Sequence, residues 1–516
     1  METINHGSGT LETIFAERSF NFDMLSITRA MLGIATLIFI AWLFSVDRKA
    51  ISWNTVIKSL IIQVVIAFLV MFVTPVQDFF NFFGSCFVAV LGWTKAGSEF
   101  LFGAFVDTGK FGYIFAFQIL PTIIFFSAFT SLLFYFGILQ KIVWLFAWLM
   151  SRLIKLSGAE SLSTVANIFV GMNEAPLVVK PYISKMSRSE LMLVMTAGMS
   201  TMAGGVLAAY IGMLGNGIPE LEIQFARHLL TASVMAAPGA VVISKILVPQ
   251  TMKTEQNAEI SKDKLGANVL EAISIGTIDG LKLAGNVAAM LLVFYALIAG
   301  GNNIISWLGS FRLMSALSFC IAVAGGCMAY WIVFLRKNRS SQIKFIRIKP
   351  SQIKYCAISF GVMSLLFTFV AMFYPSGDSI NSTVSNFTDG RHTELSLQLI
   401  LGYVFAPVIW LTGVAMQDVP LVGQLLGQKI ILTEFVGYSE LSNMLASNVF
   451  TETKSAIMAT YVLCGFANFA SVGIEIGGIG SIAPNQRATL SIFGMRALLG
   501  GTLAALISAT IVGMMM

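Results

Sequence analysis

The sequence predicts an all-α protein that crosses a membrane several times, and two observations support this class. Of the 516 residues, 56% are hydrophobic and only 11% are charged, whereas a typical soluble domain carries about 25% charged residues. The apolar runs are also long and unbroken, close to the roughly 20 residues that a spanning helix requires. A transmembrane β-barrel would instead show segments of about ten residues with alternating polarity. The mean hydropathy of +0.82 agrees with the helical class.

The spanning helices are predicted from the apolar runs in chain order. Unbroken runs cover residues 27–44, 56–73, 113–135, 314–335 and 355–373, and further apolar runs cover 191–214, 229–248, 286–299 and 498–514. The aromatic segment 79–91 is short, which indicates a helix at the membrane interface rather than a span. The segment 141–155 alternates basic and aromatic residues and predicts a second interfacial helix. Residues 250–282 are polar and are expected in the cytoplasm.

Charged residues fix the expected orientation. Basic residues cluster in short loops between apolar runs, at 47–49 and, without any acidic residue, at 336–354. Cytoplasmic loops carry such an excess, so these loops are expected inside and the N-terminus outside, with the polar loop 375–394. The same clustering explains the net charge of +6 without a nucleic-acid partner. The sequence therefore indicates a multi-pass plasma-membrane protein, in bacteria an inner-membrane protein.

Two glutamates lie within segments that are otherwise typical of membrane helices. Glu174 lies in residues 167–176 and Glu434 in residues 429–438, and both segments are interrupted by residues that break helices. A carboxylate at membrane depth costs about 2.5–3.5 kcal/mol by insertion scales, so it is seldom present for packing alone. Interrupted segments in corresponding halves of a chain point to a transporter's binding site. They predict two opposed re-entrant hairpins within inverted repeats.

Other polar residues on these segments suggest two kinds of ligand. The neutral oxygens of Asn167 and Thr201 suit a monovalent cation, although an intramembrane Thr commonly bonds to its own helix. Glu434 with Asn468 and Ser471 could bind a polyhydroxylated solute, and Phe466 could form an aromatic wall. Asn468 and Ser471 could equally bind a neighbouring helix.

Eight motifs, in this order, resemble those of the concentrative nucleoside transporters. They are GxxEAPL at 171–177, SEL at 189–191, TMAGGVLAAY at 201–210, HLLTASVMxAP at 228–238, DGLKLA at 279–284, LGYVFAP at 401–407, TEFVxY at 433–438 and LCGFANFxS at 463–471. Each motif is modest alone, but eight in sequence are specific. The resemblance extends from about residue 78 to the C-terminus, apart from an insertion at about 302–393.

The resemblance implies a homotrimer of cation-coupled nucleoside symporters, each with a scaffold and a mobile transport domain that moves like an elevator. It places Glu174 and Val206 at the nucleobase, and Glu434, Asn468 and Ser471 at the ribose, with Phe466 against the nucleoside. It assigns a sodium ion to Asn167, Thr201 and the carbonyls of Val170 and Met202. The family usually has Gln-Thr where this chain has Met172 and Asn173. Because Met172 cannot donate a hydrogen bond, an altered base specificity is expected.

The predicted organisation is about eight family spans plus two inserted spans, in five parts. These are N-terminal spans and an interfacial helix (1–110), a third span with an interfacial helix (111–155), the first hairpin and following helices (156–300), the inserted pair (301–395), and an interfacial helix, second hairpin and C-terminal helices (396–516).

The sequence leaves several alternatives to sodium-coupled nucleoside symport. Sodium is the favoured coupling ion because Asn167 and Thr201 do not titrate, and protons are the alternative; no other cofactor is expected. A transporter of this fold for another nucleoside-like solute, a facilitative channel and a receptor are further alternatives. An intramembrane enzyme would need a nucleophile–base pair or a metal cluster, and His6, His228 and His392 are too scattered to provide one.

Overall fold

A computed structural model describes residues 24–111, 114–172, 174–252, 266–310, 379–388, 390 and 393–516. Apart from two short 3₁₀ turns, Gly103–Val106 and Pro484–Gln486, the elements of this part are α-helices. The first six are α1 (Met24–Leu43), α2 (Trp53–Phe72), α3 (Thr74–Phe102), α4 (Thr108–Phe111), α5 (Phe115–Tyr135) and α6 (Ile138–Ile154). The predicted inserted pair at 314–335 and 355–373 lies outside the described residues, as do residues 1–23.

The remaining helices include two series with the same order of elements. The first series is α7 (Gly158–Phe169), α8 (Ala175–Val178), α9 (Lys180–Ile183), α10 (Arg188–Ser200), α11 (Gly204–Gly215) and α12 (Pro219–Leu247). The second is α16 (Val419–Ile431), α17 (Glu434–Ala446), α18 (Thr453–Leu463), α19 (Phe469–Ile482) and α20 (Arg487–Met515). Each series has two helices interrupted near the middle and ends in a helix of 29 residues. This order agrees with an internal repeat, and its inverted arrangement stays a prediction.

Three further helices lie between the two series: α13 (Val269–Gly309), α14 (Ile380–Phe387) and α15 (Leu397–Thr412). The described residues fall into two compact units. One contains the described residues up to Phe294 together with Leu401–Met516, and the other contains those in Tyr295–Ile400. Within the smaller unit, Asn302 donates to Gln398 at 2.9 Å and Asn381 donates to the carbonyl of Ser306 at 3.0 Å. The predicted five-part division stays a prediction.

Eight helices in the described ranges are long and apolar enough to cross a membrane. In the span that contains α3, only 11% of the most apolar window is buried, whereas the value reaches 89% for α12 and for α20. The helices α12 and α20 therefore form the centre of the larger unit, and α3 presents apolar side chains outward, as a lipid-facing helix does. This confirms the all-α polytopic fold.

Local sequence signals fix the ends of the central helices. Ser157 begins α7 and Ser187 begins α10, and each forms a capping box with the glutamate three residues later. Such reciprocal bonds satisfy two of the free amides at a helix start. Glu160 of the first box also pairs with the buried Lys245 of α12, whose ammonium donates to Ser189 at 3.1 Å. The beginnings of α7 and α10 are thereby tied to the end of α12.

Four element predictions were wrong in detail. Segment 79–91 is part of the 29-residue helix α3 rather than a short interfacial helix. The run 191–214 is two helices, α10 and α11, separated at residues 201–203. Residues 269–282 are helical and continuous with the predicted span at 286–299, and the polar loop 375–394 contains the helix α14. In each case the hydropathy of the sequence changes at one position, whereas the helix begins or ends at another.

Candidate functional site

The interruptions of the two helix series define four breaks. Break 1 comprises residues 170–172 and 174, break 2 residues 201–203, break 3 residues 432–433 and break 4 residues 464–468. Each leaves backbone groups outside a regular helix, which is tolerated at membrane depth only within protein or beside a wet cavity. The predicted hairpins contain breaks 1 and 3, and the helices that follow them contain breaks 2 and 4.

Two glycines bring breaks 1 and 4 against break 2. Gly171 has φ of +93° and Gly465 has φ of +87°, a conformation that favours glycine. A Cβ added to Gly171 would lie 2.7 Å from the Cβ of Ala203, and one added to Gly465 would lie 2.5 Å from the carbonyl oxygens of Met199 and Ser200. Break 1 therefore packs on break 2, and break 4 packs on the end of α10 directly before break 2.

Glu434 is the centre of a buried hydrogen-bond network. It is 3% exposed and lies in the first turn of α17, where the helix dipole favours a negative charge. Its Oε1 accepts from the hydroxyl of Tyr210 at 3.1 Å, and its Oε2 accepts from Nδ2 of Asn468 at 2.8 Å. The Oδ1 of Asn468 caps α19 by accepting from the amide of Ser471 at 2.8 Å. This network joins breaks 3 and 4 to α11.

Aromatic packing supports this network from one side. The rings of Tyr210 and Tyr438 stack with their centroids 4.1 Å apart. The hydroxyl of Tyr438 donates to the carbonyl of Thr460 at 2.9 Å and lies 3.6 Å from the sulfur of Met202. The stacked rings of Tyr210 and Tyr438 therefore support the network, and Tyr438 extends it to Met202 of break 2.

A buried lysine donates hydrogen bonds to backbone carbonyls at the start of break 4. Lys429 of α16 is fully buried, and its ammonium donates to the carbonyl of Val462 at 3.1 Å and to that of Cys464 at 2.5 Å. These carbonyls lie at the end of α18, where the helix dipole favours a positive charge. The lysine thus ties α16 to break 4.

The predicted cation ligands lie on α7, break 1 and break 2. Asn167 is 1% exposed, and its Nδ2 donates to the carbonyl of Ser163 at 3.0 Å, whereas its Oδ1 has no hydrogen-bond partner within the described ranges. Thr201 is fully buried and donates to the carbonyl of Ala197 at 2.8 Å, which confirms the expected bond to its own helix. Val170 and Met202 are buried as well.

The predicted substrate residues occupy different surroundings. Val206 and Ser471 are each 2% exposed and Phe466 is 8% exposed, whereas Glu174 is exposed. The carboxylate of Glu174 lies over Gly171, 3.3 Å from the position of an added Cβ. Met172 lies against Gly198 of α10, and Asn173 is outside the described residues. Of the predicted substrate residues that the structure describes, Glu434 and Asn468 are joined by a side-chain hydrogen bond.

Sequence reasoning did not single out three residues of this region. Tyr210 ends one of the quoted motifs but received no role. Lys429 lies in the segment quoted for Glu434, and Glu475 lies four residues after the last quoted motif. Since Glu475 belongs to the single helix α19, the rule that singled out Glu174 would also have found it.

The arrangement suits solute binding better than metal-cluster chemistry. An ionised carboxylate offers about four acceptor sites, and two donors bond to Glu434, so further hydroxyl groups can be bound. No cluster of three or more His, Cys, Asp or Glu side chains able to hold a metal occurs in the described ranges. A cation here would rely on neutral oxygens.

Comparisons with known proteins agree along most of the chain. A family model described as the N-terminus of Na⁺ dependent nucleoside transporters matches residues 32–105, and the corresponding C-terminal model matches 228–336 and 336–513. A model described as nucleoside recognition matches residues 116–217.

Individual proteins are similar over nearly their whole lengths. An uncharacterized transporter of Haemophilus influenzae is 35% identical over 496 residues, covering 95% of this chain and 98% of that protein. The nucleoside permease NupC of Helicobacter pylori is 32% identical over 493 residues, covering 94% and 97%. The structure of CNTnw in an inward-facing substrate-bound state has a TM-score of 0.73 at 32% identity, covering 95% and 99%. A variant of CNTnw in an outward-facing state has a TM-score of 0.74, covering 96% and 99%.

Proposed function

This chain belongs to the concentrative nucleoside transporter family, and we propose that its four breaks form one site that carries a nucleoside together with a sodium ion. It is a multi-pass membrane transporter rather than an enzyme. CNTnw is known in outward-facing and inward-facing states, which supports alternating access here too. The buried network around Glu434 is the observation that carries the proposal for the nucleoside.

The ribose is proposed to bind at Glu434. Tyr210 and Asn468 each occupy one acceptor site on a different carboxylate oxygen, so acceptor sites remain for two hydroxyl groups of a sugar. Hydrogen bonds from hydroxyl groups to a carboxylate are short and strong, more so away from water. Ser471 lies one turn along α19 from Asn468 and adds a hydroxyl to the same side.

Sodium is proposed to bind at breaks 1 and 2. The Oδ1 of Asn167 is a buried acceptor to which no described residue donates, and such an acceptor costs about 1–3 kcal/mol unless a ligand supplies the missing partner. Thr201 uses its hydroxyl hydrogen within α10, so its oxygen lone pairs stay available to a cation. The carbonyls of Val170 and Met202 complete the proposed set of neutral oxygens, which is the kind that binds Na⁺ in such folds.

The two breaks are adjacent, as a shared ion requires. A Cβ added to Gly204, directly after break 2, would lie 3.1 Å from the carbonyl oxygen of Phe169, directly before break 1. One sodium ion entering down a potential of 100 mV yields about 2.3 kcal/mol. That energy supports roughly 50-fold nucleoside accumulation.

Uptake of radiolabelled nucleoside into proteoliposomes tests the coupling ion. We expect uptake to require an inward Na⁺ gradient, and Asn167→Ala to raise the Na⁺ concentration for half-maximal uptake by about tenfold, equal to about 1.4 kcal/mol. The exchange Asn443→Ala, at an exposed position of α17, serves as the control. Uptake that persists without sodium and collapses with an uncoupler would show proton coupling instead.

The assembly and orientation are proposed from the family resemblance and the charge pattern. We propose a homotrimer with elevator-type movement in the bacterial inner membrane and an extracellular N-terminus. The bacterial relatives and the exposed apolar faces of the outer helices support this arrangement. Native mass spectrometry that finds monomers, or an N-terminal tag that cannot be labelled on spheroplasts, would contradict it.

A further inference from the structure

A third membrane glutamate lies next to the proposed site and has no role in the mechanism above. Glu475 of α19 is 1% exposed, and its Oε2 has no hydrogen-bond partner among the residues that the structure describes. Burial of a charged group without a partner is strongly unfavourable, so such groups are seldom retained without a ligand or a partner. The carboxyl group of Glu475 is therefore expected to bind something that the described part of the chain does not supply.

The position of Glu475 relates it to the proposed ribose site. Asn468, Ser471 and Glu475 follow one another at intervals of three and four residues, so they lie along one face of α19. Seven residues correspond to about 10 Å along an α-helix. A nucleoside whose ribose lies at Asn468 and Glu434 can thus extend its base along this face towards Glu475.

Glu475 also meets the first broken segment. A Cβ added to Gly198 of α10 would collide with Oε1 of Glu475 and lie 3.0 Å from the Cβ of Met172. The carboxyl group and the side chain of Met172 therefore share the space above Gly198. Since the Met172 side chain cannot donate a hydrogen bond, Glu475 is the hydrogen-bonding member of this pair of side chains.

We propose that Glu475 accepts a hydrogen bond from the exocyclic amino group of the nucleobase and thereby selects amino-bearing nucleosides. The inference rests on the proposed nucleoside site. An ionised carboxylate is an acceptor only, so an amino group complements it and a keto oxygen at the same position is repelled. A site built to hydrogen-bond one group rejects an analogue that lacks the group, because its own buried polar atom is left unpaired.

Binding to the purified full-length protein with saturating Na⁺ tests the inference. Two ligand pairs, cytidine with uridine and adenosine with inosine, share the sugar and differ by an amino group in place of a keto group. We expect the amino member of each pair to bind at least about tenfold more tightly. Glu475→Gln, whose amide can also donate to a keto oxygen, should bring both ratios close to one.

Two further variants make the result independent of a folding defect in Glu475→Gln. Gly198→Ala displaces the carboxyl group without removing it and should reduce the same ratios. Glu440→Gln changes a carboxylate that already has a partner, Nε2 of Gln424 at 3.2 Å, and should leave the ratios unchanged.

Three outcomes would overturn the inference. The wild-type protein could bind both members of each pair equally. Glu475→Gln could weaken both members by the same factor, which would indicate a structural role. Uptake could lose its pH dependence in Glu475→Gln while the ratios stay constant, which would assign the carboxyl group to a proton. A wild-type protein that binds no nucleoside would instead refute the proposed function itself.

Discussion

The exchange Tyr210→Phe is expected to weaken the binding of every nucleoside by a similar factor. Tyr210 donates to Oε1 of Glu434 at 3.1 Å, and its ring stacks on Tyr438. Phenylalanine keeps the ring and removes the hydroxyl group alone, so the packing should persist while the Glu434 carboxylate loses one of two fixed partners. Because all nucleosides with the same sugar use this carboxylate, the loss should not depend on the base.

The size of the effect follows from the type of bond. A hydrogen bond to a charged group contributes about 1.5–3 kcal/mol, and about 1.4 kcal/mol corresponds to a tenfold change in Kd. Asn468 still holds the other oxygen at 2.8 Å, so the carboxylate should be displaced only partly. We therefore expect an increase in Kd of about tenfold, at the lower end of that range.

Binding of uridine, cytidine, adenosine and inosine to the purified variant measures this effect, with thermal unfolding recorded in parallel. Tyr461→Phe is a matched control, since it removes another fully buried hydroxyl, which lies 3.2 Å from Nδ1 of His228. It should lower the stability by about 1 kcal/mol without a change in Kd. A base-dependent change in Tyr210→Phe, or a change in stability alone, would refute the placement of the ribose at Glu434.

Two other exchanges test how the breaks are held together. Lys429→Met should lower the melting temperature in detergent, because the buried carbonyls of Val462 and Cys464 would lose their donor at about 1–3 kcal/mol each; an unchanged melting temperature would contradict this role. Gly465→Ala should reduce uptake to background, because φ of +87° and the 2.5 Å approach to Ser200 both exclude a side chain. Gly477→Ala, which meets open space, should retain uptake.

The helix breaks near Glu174 and Glu434 could be predicted from the sequence because they have a local cause. Pro176 and Gly171 interrupt the helix around Glu174. An acidic residue within an apolar segment is visible in the sequence, and its energetic cost at membrane depth marks it as unusual. Break 2 was missed because residues 191–214 are a continuous apolar run. The backbone at Thr201 is extended, with φ of −105° and ψ of 169°, and Gly465 packs against the turn before it. That contact comes from a residue more than 260 positions away, so no local pattern could indicate it.

The length of α3 was missed for a different reason. Polar residues such as Asp78, Lys95 and Glu99 divide its sequence into short apolar pieces, although they leave the helix intact. A hydropathy pattern reports which residues face lipid, and helix ends are decided by backbone hydrogen bonds. The same reasoning explains why the polar residues 269–282 proved to be the beginning of α13.

The two halves of the larger unit differ in the charge at their breaks, and this difference bears on the coupling. In the second half, the chain supplies its own cation, because the ammonium of Lys429 bonds to the carbonyls of break 4. Both halves contain a buried amide oxygen without a hydrogen-bond partner among the described residues, Oδ1 of Asn167 in the first and Oε1 of Gln428 in the second. The charge of Lys429 lies directly beside Gln428 in the chain, so a cation from outside is expected at Asn167. A repeat with two equivalent halves would hold two ions or none, whereas this asymmetry favours one ion for each nucleoside. Nucleoside uptake by the wild-type protein, measured against Na⁺ concentration as in the test of Asn167→Ala, should then rise hyperbolically. A sigmoidal rise would show that a second Na⁺ binds despite the charge of Lys429.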